Sequence, residues 1–253
     1  MNDKEILELD FEKLNLDEHL LRGIYSYGFE KPSEIQHKAI PIIKEGKDII
    51  AQSKSGTGKT GAFSIGCISS VDTTIDESQV LIICPTYELV HQTYEVINNF
   101  INYIENISIM KVIGGSNLRE CQMGLEKRPK IIIGTPGRIL DMIQRKYLIT
   151  EKITRLVFDE ADEILSYGFK ETIHNIVKYI PKTSQISLLS PLGASESFHC
   201  CLPFFIPRNI ESLKPGQGFH DQPVLRSDFF SEKKPRENKR QQIPCHEGKH
   251  IKG

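Results

Sequence analysis

A chain of 253 residues, 39% hydrophobic and 26% charged, can bury a full core as one large domain or as one domain with an appendage. Its net charge of −1 conceals two unlike parts: residues 1–190 hold 22 Lys and Arg against 26 Asp and Glu, whereas residues 191–253 hold 10 against 7. An acid-rich main part excludes a general polyanion binder and confines any nucleic-acid contact to a local surface, and no apolar run approaches the ~18 residues of a membrane span.

The opening "MNDKEILELDFEKLNL" is acidic and lacks the apolar core of a secretory leader, so the cytoplasm is the expected compartment, with the nucleus as the other. Residues 16–29 set Leu16, Leu20, Leu21 and Ile24 on one helical stripe, and residues 33–46 predict a helix running from a Ser33 cap to Gly46. Short apolar runs suited to buried strands then recur at 48–52, 79–85, 107–115, 130–136, 155–160 and 185–190. Segments between them, such as 87–104 and 163–180, carry helical periodicity. Strands apolar on both faces and separated by helices predict an α/β fold, a parallel sheet with right-handed crossovers and helices on both faces. In such sheets ligands bind beyond the carboxyl ends of the strands.

The first strand runs directly into "SKSGTGKT" at 53–60. Gly56 and Gly58 let the backbone of Ser55 to Gly58, Thr57 included, turn its N–H groups toward phosphate oxygens. Lys59 adds a cation for the outer phosphates, and Thr60 offers a hydroxyl to Mg²⁺ at a helix start. Ser53 stands where the phosphate-loop pattern asks for glycine, a small residue in place of the smallest. The run at 155–160 ends in two carboxylates. Asp159 is placed to hold Mg²⁺, through water, and Glu160 to orient an attacking water; without the phosphate loop the pair would read as acids at a helix start.

Six segments occur in order: "GFEKPSEIQ" (28–36), "SGTGKT" (55–60), "PTYEL" (85–89), "GG" (114–115), "TPGR" (135–138) and "DEAD" (159–162). Together they resemble the N-terminal RecA-like lobe of the DEAD-box ATP-dependent RNA helicases over roughly residues 9–190, and "DMIQRKYL" and "DEADEILSYGFK" look like the translation initiation subgroup. The resemblance implies an enzyme that binds ATP with Mg²⁺ and single-stranded RNA, and hydrolyses ATP to remodel RNA. It also implies a monomer whose protein partners are translation initiation or RNA-processing factors. By resemblance Gln36 reads the adenine edge and Phe11 stacks on the base. On the residues alone Phe11 serves equally well as a core aromatic, and Phe29 reads as core. The resemblance lays Pro85, Thr86, Gly114, Gly115, Thr135, Pro136, Gly137 and Arg138 along the RNA backbone, where glycines permit close approach and Arg138 adds charge. Tyr87 stands where the family has arginine, which removes one cation from that track and lowers the expected RNA affinity.

After Ser190 the family continues into Ala-Thr, a linker and a second RecA-like lobe, whereas this chain reads "PLG". Residues 191–253 hold 7 of the 13 prolines and 4 of the 8 histidines and show no further strand and helix alternation. They are expected to form an irregular, disordered tail, and residues 1–8 a short extension. The switch suggests an alternative splice, a frameshift or a decayed gene, and with it an alternative function: a lone ATP- and RNA-binding lobe that does not unwind RNA. The basic run from Lys233 to Arg240 is interrupted by Glu237 and Asn238, and reads as a solvated end rather than a targeting or RNA-binding signal. The six cysteines have no paired C-x-x-C spacing and read as reduced thiols, and three adjacent residues at His199 to Cys201 do not close a tetrahedral metal site.

Overall fold

The computed structural model describes residues 9–166, 168–191 and 211–213. A short 3₁₀ turn, Glu12–Leu14, precedes helices α1 (Glu18–Ser26) and α2 (Glu34–Lys44). The strands are β1 (Ile49–Gln52), β2 (Val80–Ile83), β3 (Ile109–Val112), β4 (Ile131–Gly134), β5 (Arg155–Phe158), β6 (Gln185–Ser190) and β7 (Glu211–Leu213). Between them run α3 (Lys59–Ile68), α4 (Tyr87–Phe100), α5 (Leu118–Glu126), α6 (Pro136–Gln144), α7 (Ala161–Ser166) and α8 (Lys170–Tyr179). All strand pairs are parallel, in the order β3-β4-β2-β5-β6-β1-β7.

Strand periodicity divides the core in two. Val80, Ile82, Ile131, Ile133 and Val157 turn to one face and pack with side chains of α1 to α4, such as Leu20, Ile40, Phe63 and Phe100. Their neighbours Leu81, Ile83, Ile132, Leu156 and Phe158 turn to the other, against Leu125, Met142, Ile164 and Ile176 of α5 to α8. Each fully buried aliphatic of this kind contributes about 1.5–3 kcal/mol. A sheet covered on both faces needs strands apolar at every position, which is why β2 and β4 are buried throughout.

The helical pattern over 163–180 resolves into two helices rather than one. Gly168 sits between α7 and α8 with φ at +81°, a left-handed conformation that ends one helix and re-aims the chain into the next. β7, paired with β1 from Ile49 to Ala51, adds a strand inside the stretch expected to lack one. The rest of that stretch, with the His199 to Cys201 and Lys233 to Arg240 segments, lies outside the described residues, as do residues 1–8. Among the described residues no helix is long and apolar enough to cross a membrane.

Because every strand points the same way, all the carboxyl ends open on one edge of the sheet. The strand order sorts that edge into two halves. β1, β6 and β5 lie side by side in one, and β2, β4 and β3 in the other.

Candidate functional site

The first half brings the phosphate loop against the two carboxylates. The loop leaves β1 beside the end of β6, where Ser53 N–H donates to the carbonyl of Ser190 at 3.3 Å. Ser53 and Thr57 share a hydroxyl–hydroxyl hydrogen bond of 2.6 Å, and Thr57 Oγ1 also donates to the Lys54 carbonyl at 2.8 Å. The serine that replaces the pattern's glycine therefore braces the loop. Gly56 and Gly58 take φ of +77° and +93°, a region side-chain-bearing residues rarely enter, so the loop's curvature depends on them. Lys59 opens α3 and is 5% exposed, its ammonium donating to the carbonyls of Ser53 and Lys54 at 3.2 and 3.3 Å. Thr60 follows it in the first turn.

The segment ending in Gln36 grips this loop from outside. Ser33 and Gln36 form a reciprocal capping box at the start of α2: Gln36 N–H donates to Ser33 Oγ, and Ser33 N–H to Gln36 Oε1. Both side chains reach on. Ser33 Oγ donates to the Thr57 carbonyl at 2.8 Å and Gln36 Nε2 to the Gly58 carbonyl at 3.2 Å. Gln36 is thus buried, at 3% exposure, rather than a solvent-facing residue at a helix start. A Cβ on Gly58 or Gly61 would lie 2.5 or 2.7 Å from Gln36 Nε2, so both glycines make room for the amide.

Phe11 does not lie open to a base. It is fully buried, its ring stacked with Phe29 at a 6.4 Å centroid distance and edge-on to Tyr25 at 6.2 Å, and it belongs to the core under α1 and α2. The apolar surroundings provided by Leu14, Leu20 and Ile24 hold it there, which is the core alternative for this residue. Phe29 is partly buried and packs on the same cluster.

Asp159 is 2% exposed at the end of β5, its N–H bound to the Ile83 carbonyl at 3.0 Å and its Oδ1 accepting the Glu160 N–H at 3.1 Å. Burial, then the Glu160 charge, push its carboxyl up to about 7, against the opposing pull of Lys59. Glu160 is also raised, first by burial and further by Asp162 and Glu163, again opposed by Lys59. Its φ of +49° is left-handed for a residue with a side chain, a strain of roughly 1–2 kcal/mol concentrated at the carboxylate pair. Ser190, at the end of β6, donates through Oγ to Asp162 Oδ1 at 2.8 Å, tying that strand's end to α7.

The second half gathers the other loops. Pro85 is buried at the end of β2, and Thr86 caps α4 by accepting the Leu89 N–H. Thr135 precedes α6, with Pro136 in its first turn. Gly114, Gly115 and Gly137 would meet nothing within 4 Å on gaining a Cβ, so these loops present open backbone. Arg138 Nη2 donates to the Ser116 carbonyl at 3.3 Å and clasps the Gly114–Gly115 loop to α6, while its Nη1 is enclosed without a partner. Tyr87 is 54% exposed and leans on His91, the two rings tilted by 49°. Three contacts were not legible in the sequence: the grip of Ser33 and Gln36 on the loop, the Ser190–Asp162 bond and the Arg138–Ser116 clasp. Only the S-x-x-Q capping box gave a local signal, and only for the first.

Among the described residues no group of three or more His, Cys, Asp or Glu could hold a metal by itself. Thr60 and Asp159 supply hard oxygen donors of the type Mg²⁺ takes when a nucleotide's phosphates complete its shell. Cys67, Cys84 and Cys121 are buried free thiols.

Comparison with known proteins bears on the whole of this edge. A DEAD/DEAH box helicase model matches residues 33–191. The chain is 46% identical over 180 residues to the ATP-dependent RNA helicase eIF4A of Pyricularia oryzae, covering 71% of this chain and 45% of that protein. It is 49% identical over 181 residues to eukaryotic initiation factor 4A of Drosophila melanogaster, covering 72% and 45%. S. cerevisiae Dbp5 bound to RNA and ADP BeF3 superposes with a TM-score of 0.73 at 32% identity, over 81% of this chain and 52% of that one. A DEAD box protein from the hyperthermophile Methanococcus jannaschii superposes with a TM-score of 0.75 at 32% identity, over 81% and 55%. The chain spans about half the length of the curated relatives it matches.

Proposed function

The chain belongs to the DEAD/DEAH box helicase family, and on that premise we propose that it is the nucleotide- and RNA-binding lobe of an ATP-dependent RNA helicase of the translation initiation subgroup. The observation that carries the reading is the convergence of Gln36, Lys59 and the Asp159–Glu160 pair on one phosphate loop.

Each group has a part to play in ATP chemistry. The Gly56–Gly58 backbone and Lys59 hold the phosphates, Lys59 exchanging loop carbonyls for phosphate oxygens. Thr60 and Asp159 would hold Mg²⁺, which would neutralise phosphate charge when bound. Glu160, half-buried and strained, orients water for in-line attack. Gln36 offers an amide, donor and acceptor together, matched to the N6 and N7 edge of adenine. Turning both amide atoms to the base takes Nε2 off the Gly58 carbonyl and Oε1 off the Ser33 N–H, so base recognition is linked to the loop and to the start of α2. Single-stranded RNA follows Thr86, Gly114–Gly115, Thr135 and Arg138 on the other half of the edge, read through its backbone.

A second reading concerns the 253-residue polypeptide by itself: it holds ATP and RNA but turns ATP over slowly and does not unwind. Among the described residues, Lys59 is the cation that acts on both carboxylates, while Arg138 is committed to the Ser116 carbonyl in the other half. Phosphoryl transfer in P-loop enzymes draws roughly 10³–10⁵ in rate from an arginine at the transferring phosphate.

The proposed binding is tested with a fluorescent ADP analogue in Mg²⁺ buffer. Lys59→Ala should weaken it by at least about tenfold, the loss of one charge-assisted phosphate contact. An unchanged affinity would remove the phosphate loop from the account.

A further inference from the structure

Tyr87 stands where the resembled family has arginine, and it belongs to a cluster of aromatic and basic side chains. Its ring lies 4.3 Å from that of His91, one turn further along α4, and more than half of the residue stays open to solvent. His91 Nδ1 is 3.2 Å from Lys111 Nζ on β3. An ammonium has only protons to offer, so Nδ1 accepts and the imidazole carries its proton on Nε2. That Nε2 is enclosed and has no partner. The Lys111 ammonium also lies 4.3 Å over the ring of Tyr94. One continuous cluster therefore links α4 to the edge strand β3. It offers an exposed aromatic ring and a cation held by an imidazole and a second ring.

The placement of this cluster gives it a partner. Thr86 immediately precedes Tyr87, and Gly114–Gly115 follow Lys111 by three residues, so the cluster borders two of the loops read as RNA contacts. We propose that Tyr87 and Lys111 extend the track for single-stranded RNA, Tyr87 stacking its open face on a base and Lys111 neutralising a phosphate. The inference rests on the RNA reading above and deepens it. The cation lost with the family's arginine is returned from β3, twenty-four residues away in sequence, and the helix start gains a stacking surface. Stacking tolerates any base, so the track gains affinity without sequence preference.

Fluorescence anisotropy of a labelled single-stranded oligouridine decamer with the full 253-residue chain tests this. Tyr87→Leu should weaken binding about fivefold or more with no change in salt dependence, and Tyr87→Phe should retain it. An abasic strand of equal length should be insensitive to Tyr87→Leu. Lys111→Met should flatten the slope of log affinity against log salt by about 0.7, one phosphate contact on a single strand, and Lys111→Arg should preserve it. Arg138→Ala reports on the wider track. If it weakens binding while Tyr87→Leu and Lys111→Met leave affinity and slope unchanged, the cluster is not an RNA contact; the proposal is overturned and the RNA reading stands. If the wild-type chain binds no RNA, both fall together.

Discussion

Replacing Asp159 by asparagine should stabilise the nucleotide-free protein, by an amount that depends on pH. The carboxyl is 2% exposed, and burial, then the Glu160 charge, push it up to about 7 from an ordinary 3.8. A folded-state pKa above the unfolded one means that the folded chain keeps a proton the unfolded chain has released. Stability is therefore lost as pH rises from about 4 to about 7, and the penalty is complete above that. At about 1.4 kcal/mol per pH unit, holding the charge costs up to about 4 kcal/mol at pH 8. Asparagine keeps an oxygen for the Glu160 N–H and carries no charge. For a chain of this size the gain corresponds to roughly 8 °C or more in melting temperature. Thermal melts of both proteins in EDTA, without nucleotide, across pH 4.5–8.5 measure it. The difference should be small near pH 4.5, grow to pH 7 and level off. A difference that stays constant with pH would mean that no buried charge titrates at Asp159.

Two further outcomes follow from the same geometry. Gly61→Ala should destabilise the chain by about 1–3 kcal/mol and weaken nucleotide binding, although alanine is the better helix former. Its Cβ would lie 2.7 Å from Gln36 Nε2 and 2.8 Å from Phe29 Cε2; a urea melt showing stabilisation would place Gln36 elsewhere. In a phosphate-release assay the 253-residue polypeptide should show almost no RNA-stimulated ATP hydrolysis. RNA-dependent turnover that Glu160→Gln abolishes would show that Lys59 and this lobe suffice.

The sheet and the phosphate loop were readable because their causes are local. Six apolar runs of strand length, each ending in turn residues, give parallel strands β1 to β6, and "SGTGKT" after the first gives the loop. What escaped depends on tertiary partners. Phe11 carries no sign of which aromatic faces it, and burial on Phe29 emerges only once α1 and α2 pack. The periodicity over 163–180 continues through Gly168, whose positive φ breaks the helix without disturbing the pattern. β7 is a three-residue strand whose existence depends on the open edge of β1, and nothing within its own sequence marks it. The pairing of His91 with Lys111 spans a helix and a strand, so no spacing rule reaches it.

On the function proposed above, Gln36, seated on the phosphate loop, would make this an adenine-nucleotide site. ATP and GTP can be set in competition for the wild-type chain against bound fluorescent ADP in Mg²⁺ buffer. A matched amide–adenine pair discriminates by about 1–3 kcal/mol, so ATP should displace the probe at concentrations at least about tenfold below GTP. Gln36→Ala should bring the two together. Equal displacement by ATP and GTP in the wild-type chain would contradict the account.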